Sequence, residues 1–174
     1  MQIERVKYEE AETFLAGLVE VLVNCVNRGD GTSISFYPPL ERKRAEQFWR
    51  DKFADVAHGR RVILVAKKGN RIAGTVMAEF MTIDNQPHRG EVQKMLVHSD
   101  FLRQGIAKAL MQEIEKAAFE AGRTLLVLDT VKDSPAEILY RQLGWVEVGE
   151  IPFFARSPEG LYESTVIFYK NLLS

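Results

Sequence analysis

Residues 92–110 of the 174-residue chain read VQKMLVHSDFLRQGIAKAL, an apolar run, a basic turn and an amphipathic run in direct succession. The first part belongs to EVQKMLVH at 91–98, whose pattern is that of a strand, and the last predicts a helix from about Gln104 to Ala121, ended by Gly122. A helix that starts at such a turn presents free backbone N–H groups, which is the layout of an anion site. Gly105 lets the backbone approach an anion, the small Ala107 leaves that approach open, and Arg103 and Lys108 add local positive charge. The same pattern also fits a helix start that binds nothing. The turn has neither the P-loop sequence GxxxxGK nor the dinucleotide fingerprint GxGxxG, so its neighbours have to decide.

Working outward, VILVAKK at 62–68, a Gly69-Asn70 turn and RIAGTVMAEF at 71–80 predict an antiparallel hairpin, followed by the polar connector TIDNQPHRG at 82–90. Beyond the helix, TLLVLDT at 124–130 is a mostly apolar strand of the kind buried on both faces, which suits parallel pairing with 91–98 through a right-handed crossover. A short helix starts near Ser134 and Pro135, carries Ala136, Ile138, Leu139 and Tyr140, and stops before Gly144. WVEVGEI at 145–151 and TVIFYKNL at 165–172 read as two closing strands joined by a loop over 152–164.

On the N-terminal side, QIERVK at 2–7 suits an edge strand, and a helix beginning in the acidic stretch at 8–11 follows. It sets Phe14, Leu15, Leu18, Val19, Leu22, Cys25 and Val26 on one apolar face. Residues 27–40, with Gly29, Asp30, Gly31, Thr32, Ser33 and two prolines, form a loop long enough to be a binding lid. Phe36 and Tyr37 at its end either wall a pocket or anchor the loop to the core. A second helix over about 41–58 turns Ala45, Phe48, Trp49 and Phe53 inward. The order is β, α, α, three antiparallel strands, α, β, α, β, β, a mixed α/β sheet in one domain over 1–174.

A balance of 23 Lys and Arg against 24 Asp and Glu gives no global field for nucleic acid or an anionic membrane, so neither is expected as a partner. No apolar stretch reaches a membrane span and MQIERVKYEE has no signal-peptide core, so an intracellular, cytoplasmic protein is expected. The lone Cys25 cannot close an internal disulfide and reads as a small buried hydrophobe. His58, His88 and His98 are too scattered to make a metal site, and no metal is expected.

QKMLVHSDFLRQGIAKALM, followed by LDT and AEILYRQLGW, resembles the GNAT superfamily of N-acetyltransferases. The family's acetyl-CoA motif, Gln or Arg-x-x-Gly-x-Gly or Ala, is matched here by Leu102, Arg103, Gln104, Gly105, Ile106 and Ala107, with Leu102 the departure. Arg103 beside it is placed to supply the missing charge. LDT, AEILY and IPFFARSPEGLYESTVIFYK look most like the tabtoxin-resistance type, which acetylates a small β-lactam molecule. The resemblance implies a central, largely antiparallel sheet with a splayed parallel pair and helices on both faces. It also implies acetyl-CoA as co-substrate, its pantetheine arm along the main chain of Met95, Leu96 and Val97, and its pyrophosphate on Arg103, Gln104, Gly105, Ile106, Ala107 and Lys108.

Acyl transfer to an amine needs a base for the nucleophile and an acid for the leaving thiolate. The resemblance assigns the acid to Tyr140, six residues after Ser134, and both residues lie along the expected cofactor path. Glu91, with Gln93 as its same-face neighbour, and Asp129 at the end of its strand are the two candidates for the base. Asp133 stands where many relatives place a cofactor-binding Asn. Trp145, Phe153 and Phe154 either line the acceptor pocket or pack in the core. The expected activity is direct transfer of acetyl to a small-molecule amine in a ternary complex. The alternatives are a protein N-terminus or lysine as acceptor, or a non-catalytic acyl-CoA-binding module. Homodimerisation through the late strands, common in the family, stays open.

Overall fold

The computed structural model describes residues 1–29 and 35–173. Its strands are β1 (Gln2–Arg5), β2 (Arg61–Lys68), β3 (Arg71–Phe80), β4 (Arg89–Val97), β5 (Leu125–Val131), β6 (Val146–Arg156) and β7 (Tyr162–Asn171). Its helices are α1 (Ala11–Arg28), α2 (Arg42–Ala57), α3 (Ile106–Glu120) and α4 (Pro135–Gln142). All seven strands join one sheet in the order β1-β2-β3-β4-β5-β7-β6, antiparallel throughout except between β4 and β5. This is the mixed α/β sheet that the sequence predicted.

Strand alternation divides the core into two layers. Val62, Leu64 and Ala66 of β2 join Ile106, Leu110 and Ile114 of α3 on one face. Ile63 and Val65 join Leu18 and Leu22 of α1 and Trp49 of α2 on the other. Gly74 lets α3 sit close, because a Cβ there would lie 2.7 Å from the Leu96 carbonyl oxygen and 3.1 Å from Ile106. That contact fixes the start of α3 against β3 and β4.

The parallel pair parts early. β4 and β5 pair only at Arg89 with Leu125, Gly90 with Leu126 and Glu91 with Val127, although both strands continue beyond. A β-bulge lies just past that point, where Lys94 and Met95 together face Val76 between the Thr75–Leu96 and Met77–Gln93 pairs. Lys94 takes up the left-handed backbone there, at φ 51°.

Three details differ from the sequence reading, and a fourth expectation is left without a test. α1 begins at Ala11, after a 3-10 turn over Tyr8–Glu10, and runs on to Arg28, where Gly29 at φ 74° ends it. Residues 30–34, the middle of the expected lid, lie outside the described residues. Most of the expected loop over 152–164 is strand: a register shift between Ile151 and Ala155, with Phe153 at φ 57°, accommodates Pro152 on the edge strand, where no ladder N–H is needed. β5 is buried on one face only. Leu126 and Leu128 face α3, while Val127 is half-exposed and Asp129 exposed. The core formed by α1 and α2 draws its strand residues from β2, β3 and β4, so the other side of β5 is left open.

Candidate active site

That open side of β5 and the gap beside β4 form a cleft of about 1070 Å³. Of the expected site residues, Glu91, Asp129, Tyr140, Met95, Val97, Ser134 and Ala107 all line it. Leu96 and Ile106 turn their side chains into the core, each 1% exposed, so they offer the site only main-chain groups. Arg103, Gln104, Gly105 and Lys108 are exposed around the start of α3. Leu102, the departure from the motif, lines the cleft with an apolar side chain.

The start of α3 has the features of an anion seat. Gly105 is its N-cap at φ 76°, and no side chain caps the helix. The first ring-closing bond runs from the Ala109 N–H to the Gly105 carbonyl at 3.1 Å, so the N–H groups of Ile106, Ala107 and Lys108 project from the helix end. A Cβ at Gly105 would meet no atom within 4 Å, which leaves the space above the turn clear. A pyrophosphate fits this end and an extended arm fits the unpaired edge of β4. The Val97 carbonyl already takes a weak bond from the buried Cys25 Sγ at 3.4 Å.

Tyr140 stands on α4, which has a well-built start. Ser134 Oγ accepts from the Glu137 N–H at 3.2 Å, and Glu137 Oε2 accepts from the Asp133 N–H at 2.6 Å, so Ser134 acts as cap. Asp133 holds the left-handed backbone at φ 60° there. The Tyr140 ring packs against Trp145 and Phe168, with centroids 6.1 and 6.2 Å away. Burial pushes its phenol well above the ordinary value, and the negative charge of Asp129 adds to the effect.

The two carboxylates are held differently. Asp129 Oδ2 accepts from Thr165 Oγ1 at 2.8 Å. Glu91 Oε1 accepts from Gln93 Nε2 at 3.1 Å, which establishes the same-face pair, and Gln93 in turn accepts from Arg61 at 3.0 Å. The Arg61 side chain, 1% exposed, also pairs with Glu79 at 2.8 Å and Asp55 at 3.3 Å. Each candidate base keeps one oxygen without a hydrogen bond among the described residues. The sequence reading missed Arg61 behind Glu91 because a charged residue opening a strand carries no local signal of burial.

The aromatic candidates separate. Trp145 is a core residue, 4% exposed, with its Nε1 donating to Glu115 at 2.8 Å. Phe154 lines the cleft and Phe153 faces solvent. Phe36 packs edge-on against Phe48, which lines the cleft, with ring centres 5.4 Å apart. The Tyr37 hydroxyl donates to the Arg156 carbonyl at 2.7 Å. Both residues therefore anchor their loop.

Comparison with known proteins agrees with this fold. A model of the acetyltransferase (GNAT) family matches residues 30–145. An acetyltransferase of Pectobacterium atrosepticum is 31% identical over 105 residues, covering 58% of this chain and 71% of its own length. A solved structure from Acinetobacter baylyi superposes with a TM-score of 0.81 at 18% identity, over 98% of this chain and 92% of the other. The structure of yncA from Salmonella typhimurium, solved with its cofactor acetyl-CoA, does so with a TM-score of 0.78 at 16% identity, over 99% and 94%. The chain belongs to the GNAT family of acetyltransferases. No helix among the described residues is long and apolar enough to cross a membrane.

Proposed function

We propose that this chain, acting as one domain, binds acetyl-CoA between β4 and β5 and passes its acetyl group directly to the amine of a small molecule. The observation that carries the reading is the coincidence of three features in one cleft: a β4 edge unpaired after Glu91, the uncapped start of α3, and the buried phenol of Tyr140. Acetyl-CoA, when bound, supplies the activated acyl carbon. The N–H groups of Ile106, Ala107 and Lys108 hold its pyrophosphate, with Arg103 and Gln104 beside them. The unpaired main chain around Met95 to Val97 orients the arm.

Glu91 or Asp129, each with a free oxygen, takes the proton from the amine. Tyr140 gives its proton to the departing sulfur. A phenol raised above its ordinary value is a poor acid in water, but the burial and the Asp129 charge that raise it also raise the proton affinity of a thiolate beside it. Cys25 is a core residue of α1 itself and takes no part, which favours a ternary complex over a covalent relay. A small acceptor is favoured because Ser35 and Ala155, which line the cleft, neighbour the two residues of the Tyr37–Arg156 bond, which ties the 35–37 segment to β6 beside it. The likeness of 151–170 to the tabtoxin-resistance type points the same way. Incubating the purified protein with acetyl-CoA and a broad amine panel should give free CoA thiol together with an acetylated product by mass. Neither appearing with any amine would refute the reading.

A further inference from the structure

Three lysines line the cleft without a part in the chemistry above; Lys132 is paired with Glu150 at 2.6 Å, which leaves Lys94 and Lys52. Lys94 comes from the β4 bulge and Lys52 from α2; both line the cleft and both are half-buried. Lys94 Nζ donates to Ser35 Oγ at 2.6 Å and lies 5.9 Å from the centre of the Phe48 ring, and Lys52 Nζ lies 5.4 Å from the same centre. Among the described residues neither pairs with a carboxylate. Burial lowers the proton affinity of Lys94, Lys52 lowers it further, and only Asp129, at longer range, opposes them.

Two like charges sharing one aromatic ring, partly stripped of water and without an ion pair among the described residues, cost free energy as they stand. An oxyanion between them would relieve both the desolvation and the repulsion through charge-assisted hydrogen bonds. The same cleft carries the opposite charge in Glu91 and Asp129, close enough to Lys94 for Asp129 to act on it. Lys94 and Lys52 on one hand and these carboxylates on the other offer a partner to each end of a ligand that carries both charges. Taking the proposed acetyl transfer as given, we infer that the acceptor is an amino-acid-type zwitterion, its carboxylate on Lys94 and Lys52 and its nitrogen toward Asp129 and Glu91. The bulge then gains a purpose, since it turns Lys94 into the cleft.

The test compares α- and ω-amino acids with the amide of each, by calorimetry on the CoA-saturated protein and by turnover with acetyl-CoA. At least one acid should bind about 10-fold or more tighter than its amide. Lys94→Met and Lys52→Met should each reduce that ratio toward one and raise KM for the acid more than they lower kcat. Lys52 lies on a helix surface, so its variant keeps the test alive if Lys94→Met fails to fold. The inference is overturned if no acid binds better than its amide, if the ratio survives both substitutions, or if they weaken acetyl-CoA binding and leave the ratio intact. Should a lysine-dependent preference for acids appear in binding while no acceptor is acetylated, the zwitterion site stands and the proposed transfer falls.

Discussion

Tyr140 shows what one residue can and cannot disclose. Its place six residues after Ser134 was legible from the motif, and the structure sets it in the cleft between two core aromatics. Tyr140→Phe keeps that packing and removes only the hydroxyl. It should lower kcat by about 100-fold or more, the usual weight of a positioned acid, while acetyl-CoA affinity by calorimetry stays within about twofold. Because burial raises the phenol, it stays protonated below the ordinary value of about 10, so the wild-type kcat profile should show no alkaline fall up to that pH. A fall centred near pH 8 would assign the acid elsewhere. Lys94 was illegible by contrast, because a bulge depends on the register of the neighbouring strand and leaves no mark in EVQKMLVH.

At the scale of elements, the signals that worked were the ones with local causes. The Gly69-Asn70 hairpin, the α3 turn and the Ser134-Pro135 helix start all appear where the sequence set them. The full length of β6 is not legible because Pro152 reads as the start of a loop, and the open face of β5 is not legible because an apolar run does not say whether a helix covers its second face. The start of α4 carries its own prediction. The hydrogen bond from Arg141, helped by the Asp133 N–H, holds the Glu137 carboxyl below its ordinary range. A depressed folded value means that this stabilisation is complete above the unfolded value of about 4.3 and is lost as pH falls through the folded one. Urea midpoints should therefore drop between about pH 5 and pH 3, and Glu137→Gln should drop less over the same window. An identical drop would show that Glu137 contributes nothing to it.

For the whole molecule, the cleft exists because two helical layers are unequal. α1 and α2 cover β2 to β4 and stop short of β5, while α3 is pulled onto β3 by the absence of a side chain at Gly74. Gly74→Ala would push a Cβ into the Leu96 carbonyl, a backbone atom that cannot swing aside, and should cost about 1–3 kcal/mol in chemical denaturation. No change in midpoint would mean that α3 is seated by other contacts. The order of strands and helices was legible from periodicity, and so was the parallel pairing. Where the pair parts was not, because three ladder pairs or six leave the same apolar pattern in TLLVLDT.

The proposed seat of acetyl-CoA, the unpaired β4 edge with the uncapped start of α3, is open to one titration. Ala107→Asp sets a carboxylate in the first turn of α3, where the helix dipole favours it, so the fold is kept while an anion at the N–H groups is repelled. Calorimetry should show acetyl-CoA binding to the wild type and a loss of about 100-fold or more in the variant at unchanged melting temperature. Equal binding by both proteins, or none by the wild type, would mean that acetyl-CoA does not sit there.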